Sequence, residues 1–236
     1  MALPLDEQRT RESRRAAAAA APVGGIVYGT LLNTKTEIAA LGPALSATPY
    51  NAPPKAPVLY IKPPGTWRLY AGTVPLPDGE ERVEFSATLG IVIGRTATRV
   101  TEAEALDYVL GYRAAIDVSL PQENYYRPSV RQRCRDGFLP LAPGITAREG
   151  VADPDSLLIR TLLNGREVGR FSTGDLVRPM ARLIADVSDF MTLCEGDMLL
   201  IGLTPERPLA RLGDRIAASI AGIADLEARI EREVAP

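Results

Sequence analysis

The chain has 236 residues, 46% hydrophobic and 24% charged, with 27 Lys+Arg against 29 Asp+Glu for a net charge of −2. So even a balance lacks the basic excess of a nucleic-acid-binding surface, and no run of about 18 apolar residues is present to span a membrane. There is no histidine, which excludes His-based zinc sites, Ser–His and Cys–His nucleophile pairs, and the usual acid–base side chain of neutral pH.

Residues 1–22 carry Arg9, Arg11, Arg14 and Arg15 ahead of the alanine run Ala16–Ala21, the order of a signal peptide. Asp6, Glu7 and Glu12 interrupt the positive stretch, however, and six alanines make a poor apolar centre. The segment reads as a helical or frayed N-terminal extension of a cytoplasmic protein. Gly24–Gly29 follows as a short strand, and Asn33–Leu41 has a helical pattern closed by Gly42 as C-cap. Residues 43–57, rich in Pro, Ala, Ser and Asn, form a long loop of the kind that makes lids. Val58–Ile61 is a strand ending in Lys62-Pro63-Pro64-Gly65, and Pro75–Gly79 is a turn.

Val83–Gly94 starts as an alternating strand and becomes wholly apolar, as a strand does on entering a core. Thr101 and Glu104 form a capping-box signature for a helix over 102–110, followed by a strand over Tyr112–Val118. Leu157–Leu163 and Glu167–Phe171, joined through Asn164-Gly165, are the clearest hairpin. A helix over Asp175–Phe190 places Leu176, Met180, Leu183, Ile184 and Val187 on one face; strands follow at Met198–Ile201 and Gly213–Ile220, and the charged stretch 223–234 reads as a terminal helix. Cys134 and Cys194 lie far apart and in no metal-type spacing, so they read as two thiols rather than a disulfide. With strands dominant and no repeat or linker, the chain is expected to be α+β, mostly β, a rolled or barrel-like mixed sheet with peripheral helices in one domain over 23–236.

Several segments together, in the same order from about Gly25 to Leu226, resemble the fumarylacetoacetate hydrolase superfamily. They are Val58–Pro64, Leu89–Gly94, Ala105–Tyr112 with Ile116–Ser119, Asp136–Pro143, Leu163–Gly165, Ser188–Leu193 and Gly196–Pro205. Val118–Pro128, Cys134–Phe138 and Asn51–Lys55 resemble one branch within it. That branch is the N-terminal half, or separate N-terminal subunit, of the bifunctional isomerase/decarboxylase of 4-hydroxyphenylacetate (homoprotocatechuate) degradation. The resemblance implies di- and tricarboxylate 2-oxo acid substrates, a divalent metal of the Mg²⁺ type, and a partner that is either a homologous metal-binding subunit or a second copy. No nucleic-acid or membrane partner is implied.

Residue by residue, the resemblance implies departures. The family's paired glutamate ligands fall on Ser86 and Thr88, and only Asp117 matches the third ligand; Glu84 shares their face but lies about two residues (roughly 7 Å) away. The chain is therefore expected to hold no metal of its own, and Asp117 is either a remaining ligand or a hydrogen-bonded buried aspartate. The lid histidine falls on Glu37, which is a base if burial raises its pKa and otherwise a solvated helix residue; the nearby glutamate falls on Ala40. Lys62 matches a substrate-contacting lysine, although a lysine before Pro-Pro is also an ordinary surface residue. Arg133 replaces another lysine with a group suited to bidentate carboxylate binding. With Arg127, Arg131 and Arg135 it makes either an anion-binding patch or a solvated, partner-paired loop. Gly169 stands where the family has glutamine, and Thr204 keeps a threonine with Leu203 inserted before it. Lys62, Asp117, Arg133 and Glu37 are thus the candidate catalytic residues, and Asp136 and Thr204 the candidate substrate-binding ones. Two functions stay open: a working subunit of the isomerase/decarboxylase, or a catalytically silent partner that keeps the fold.

Overall fold

The computed structural model describes residues 24–69, 72–122 and 128–233. Its frame is an antiparallel pair of long strands, β5 (Arg82–Ile93) and β6 (Val109–Ser119). Because side chains alternate along a strand, Phe85, Ala87, Leu89 and Ile91 share one face with Tyr112, Ala114, Ile116 and Val118, all in the main apolar core. The opposite face pairs Glu84 with Ser119, Ser86 with Asp117 and Thr88 with Ala115. Both faces are buried over most of β5, which is why its sequence reads as a nearly continuous apolar run.

Around this pair a nine-stranded mixed sheet forms. Its path runs through β2 (Val58–Lys62), β1 (Val27–Leu31), β11 (Met198–Leu200), β5, β6, β7 (Leu139–Leu141) and β3 (Trp67–Leu69). Off this path β12 (Leu209–Arg211) pairs with β5 and β8 (Thr146–Ala147) with β6. The sheet curls into a half-barrel, and its two ends meet where the Trp67 indole donates to the Lys62 carbonyl at 2.9 Å. A second sheet, ordered β10 (Arg166–Ser172), β9 (Leu158–Leu163), β13 (Arg215–Ile220), β14 (Leu226–Arg232) and β4 (Thr73–Leu76), shares the main core with the first. Helix α1 (Lys35–Leu41) and the short α2 (Val130–Arg133) flank the half-barrel, and α3 (Met180–Phe190) buries Leu183, Ile184 and Val187 in the main core.

Several expectations hold in detail. Thr34 caps α1 by accepting from the Glu37 N–H, and Gly42 closes it with φ of 42°. Asn164 and Gly165 both take left-handed φ, 52° and 80°, as a two-residue type I′ hairpin requires. Both cysteines are free. No helix among the described residues is long and apolar enough to cross a membrane. Residues 1–22 lie outside the described residues.

Other expectations are corrected. The helix over 102–110 is reduced to a 3₁₀ turn at Ala105–Tyr108: Thr101 Oγ1 does bond Glu104 Oε2 at 2.7 Å, but pairing of Val109 with Ile93 starts β6 there. Pro75 belongs to β4 rather than to a turn; β4 lies at the sheet edge, where a missing N–H is tolerated. The helix of 175–190 begins only at Met180, behind Pro179. The terminal stretch is a strand, β14, and not a helix: Leu226, Ala228 and Ile230 are buried while Glu227, Arg229 and Glu231 are exposed. That is period 2 over 226–231, with Glu227, Arg229 and Glu231 on the solvent face.

A strand in this position predicts a sharp contrast between neighbours. Ile230→Ala should cost about 2–4 kcal/mol in urea unfolding and Arg229→Ala less than ~0.5 kcal/mol; comparable losses would contradict the β14 register.

Candidate functional site

The polar face of the β5–β6 pair holds one buried carboxylate, Asp117, 3% exposed. Two cations and one hydroxyl donor converge on it. Lys62 Nζ lies 3.3 Å and Arg133 Nη1 3.2 Å from Oδ1, and the Tyr60 hydroxyl donates to Oδ2 through a short hydrogen bond. Tyr60 and Lys62 are two residues apart on β2, so both point into the half-barrel. Opposite Tyr60 on β1 stands Gly29, where a Cβ would lie 1.9 Å from the tyrosine ring; only glycine admits the ring. Arg133, at the end of α2, stacks its guanidinium 4.5 Å from the same ring, a cation–π contact.

Burial governs the chemistry of these groups. Lys62 is wholly buried, and burial pushes its pKa down to about 8 even though Asp117 pulls it up; at neutral pH the ammonium remains the main form. Its protons go to the carbonyls of Val118, Arg133 and Phe138 at 2.7, 3.0 and 3.0 Å. Burial and the Asp117 charge raise Tyr60 well above the ordinary tyrosine value, so it stays a neutral donor. Burial likewise raises Cys134, whose Sγ donates to the Ile61 carbonyl.

Beside Asp117 lies a hydroxyl network. Ser86 Oγ accepts from the Thr204 N–H at 2.7 Å and bonds Thr204 Oγ1 at 3.0 Å; Thr204 also meets Thr161 Oγ1 at 3.1 Å, and Thr88 donates to the Gly202 carbonyl at 2.7 Å. Gly169 leaves room for this, since a Cβ there would lie 2.6 Å from Thr204 Cγ2. Glu84, further along the same face, pairs with Arg207 at 3.1 Å, and burial raises its pKa.

Of the sequence candidates, the fold thus joins Lys62, Asp117 and Arg133 in one cluster and places Thr204 in the adjoining network. Glu37 is buried on α1, and Asp136 is exposed beside Gly65, outside the cluster. Among the described residues, the basic stretch does not form one patch. Arg133 is buried, Arg131 is exposed, Arg135 reaches Glu233 at 3.8 Å, and Arg127 lies outside the described residues. Tyr60 was not among the candidates; its signal was the i, i+2 spacing to Lys62 together with glycine on the strand before.

Residues 26–231 match the fumarylacetoacetate (FAA) hydrolase C-terminal family. The chain belongs to the fumarylacetoacetate hydrolase family. Among curated relatives, it is 38% identical over 212 residues to a 4-hydroxyphenylacetate degradation bifunctional isomerase/decarboxylase of Escherichia coli, covering 89% of this chain and 48% of that one. The chain therefore spans about half the length of that relative. Its fold is similar to that of a 5-carboxymethyl-2-hydroxymuconate delta-isomerase from Mycobacterium smegmatis, with a TM-score of 0.76 and 27% identity over 92% of this chain and 83% of that one. A fumarylpyruvate hydrolase from Pseudomonas aeruginosa, solved with Mn²⁺ and pyruvate, shares the fold at a TM-score of 0.73 and 18% identity, covering 89% and 90% of the two chains.

The residues of this family member do not fit a divalent ion. A hard ion requires several oxygen ligands, carboxylates among them, at about 2.0–2.6 Å. Ser86, directly across from Asp117, is a neutral hydroxyl already used by Thr204, and Thr88 is committed to Gly202. Asp117 has both oxygens occupied, and the two cations on it repel a third charge of the same sign. No group of three or more Cys, Asp or Glu side chains placed to hold a metal exists among the described residues.

Two outcomes follow from this geometry. Gly29→Ala should cost about 2–3 kcal/mol by overpacking against Tyr60, and the cost should shrink in a Tyr60→Ala background; additive losses in urea unfolding would contradict the contact. For pH, folded Lys62 releases its proton at about 8 and unfolded lysine near 10.5. Between these values the unfolded chain holds more protons, so wild-type stability rises with pH relative to Lys62→Met. A pH-independent difference would contradict a desolvated ammonium.

Proposed function

We propose that this chain is the metal-free homologous half, or separate subunit, of an isomerase/decarboxylase that acts on di- and tricarboxylate 2-oxo acids in 4-hydroxyphenylacetate catabolism. It keeps the fold and supports a homologous module that carries the metal and performs the chemistry. The observation that carries this reading is the closure of Asp117 by Tyr60, Lys62 and Arg133 opposite a neutral Ser86. Stabilising the enolate formed beside a 2-oxo acid needs an electrophile at the oxo group. Here Lys62 has each of its protons committed to a backbone carbonyl, and Glu84 is turned to Arg207. The similarity to a relative about twice as long supports the placement beside a second module.

Turnover tests the proposal. The purified chain, its metal-bearing homologous module and their mixture are each given Mg²⁺ and 5-oxopent-3-ene-1,2,5-tricarboxylate, and CO₂ release is followed. The chain alone should fall at least ~100-fold below the mixture. Replacing the ligands of the partner module should abolish the activity of the mixture. Turnover by the chain alone at the rate of the mixture would overturn the proposal.

A further inference from the structure

Lys62 is the last residue of an edge strand, yet its ammonium ends in a closed cage of four oxygens. Val118 O accepts at 2.7 Å, Arg133 O at 3.0 Å and Phe138 O at 3.0 Å, and Asp117 Oδ1 stands at 3.3 Å. The three carbonyls come from separate stretches: the end of β6, the last residue of α2, and the residue before β7. An ammonium has three protons and one charge; this cage offers three carbonyls and one carboxylate. The three carbonyl separations are those of N–H···O hydrogen bonds and the carboxylate stands at ion-pair distance, all well beyond the roughly 2.0–2.1 Å of Mg²⁺ or 2.3–2.6 Å of Ca²⁺. The side chain is 0% exposed, so bulk solvent does not reach the ammonium.

We propose that this cage is a binding site for a primary ammonium ion, built by three backbone segments and Asp117 and filled by a tethered ligand, the Lys62 side chain. This cation, which shares Asp117 with Arg133, is thereby part of the chain rather than drawn from solution. Cutting the tether while keeping the walls leaves a site for a free alkylammonium. This inference does not depend on the partner role proposed above, and its test uses no activity.

The test is Lys62→Ala in the full chain, followed by thermal unfolding at neutral pH in n-propylammonium chloride, with tetramethylammonium chloride and NaCl at equal concentration as controls. The variant should lose about 6–20 °C. Propylammonium, which replaces the deleted Cγ–Nζ fragment, should restore part of that loss in a saturable manner and leave the wild type unchanged. Tetramethylammonium has the charge but no N–H donor, and should restore nothing. Equal effects of the two ions, or no effect of propylammonium on a folded variant, would overturn the proposal. If Lys62→Ala folds under none of these conditions, Lys62→Met decides, since it keeps the stem and drops the charge. A loss of more than about 5 °C then upholds the cage, and a smaller loss overturns it.

Discussion

One carboxylate sets the terms for the rest of this molecule. Asp117 sits on a central strand with its side chain on the inner face of the half-barrel, where an uncompensated charge is not sustainable. The compensation comes from within. β2 delivers Lys62 and Tyr60 from alternate positions, α2 delivers Arg133, and Gly29 leaves the space for the tyrosine ring. The consequence reaches across the strand pair: with two cations already on Asp117, a neutral Ser86 opposite it suffices, and a divalent ion finds neither free oxygens nor a favourable field.

The same arrangement supports the proposed reading of this family member as a partner rather than a catalyst. A catalytic electrophile must be free to meet a developing charge. Lys62 and Arg133 are the right residue types for carboxylate substrates, but each is engaged with Asp117, and Lys62 is enclosed on all sides by backbone carbonyls. Buried ion clusters of this kind need not add net stability, but they tie together the elements that carry their members. Here they fix β2, β6, α2 and the approach to β7.

Much of the fold was legible in the residues, and the failures have physical causes. The alternation of β5 and the Asn164-Gly165 turn encode their structures locally, and both formed. The stretch 226–232 was misread because its charges suggested a helix, whereas the alternation of Leu226, Ala228 and Ile230 was the stronger signal. The capping box at Thr101–Glu104 formed, but strand pairing at Val109 overrode its continuation. In the site, the family resemblance singled out Lys62, Asp117 and Arg133 one by one, and the fold brings them together. What the residues could not convey was direction. A lysine before Pro-Pro reads the same whether it faces solvent or turns inward, and only the curl of the sheet decides that its ammonium is caged. The same holds for Tyr60, whose partner Gly29 is meaningful only once β1 and β2 are paired.

The central claim is that Asp117 is held by the chain's own cations and not by a metal. It is tested most directly by a crystal structure of the full chain grown with excess Mn²⁺, with data collected for anomalous scattering. The account predicts no anomalous peak near Asp117, with the Lys62 ammonium, the Arg133 guanidinium and the Tyr60 hydroxyl all on its carboxylate. A peak at about 2.0–2.3 Å from Asp117, with Lys62 or Arg133 displaced, would contradict it.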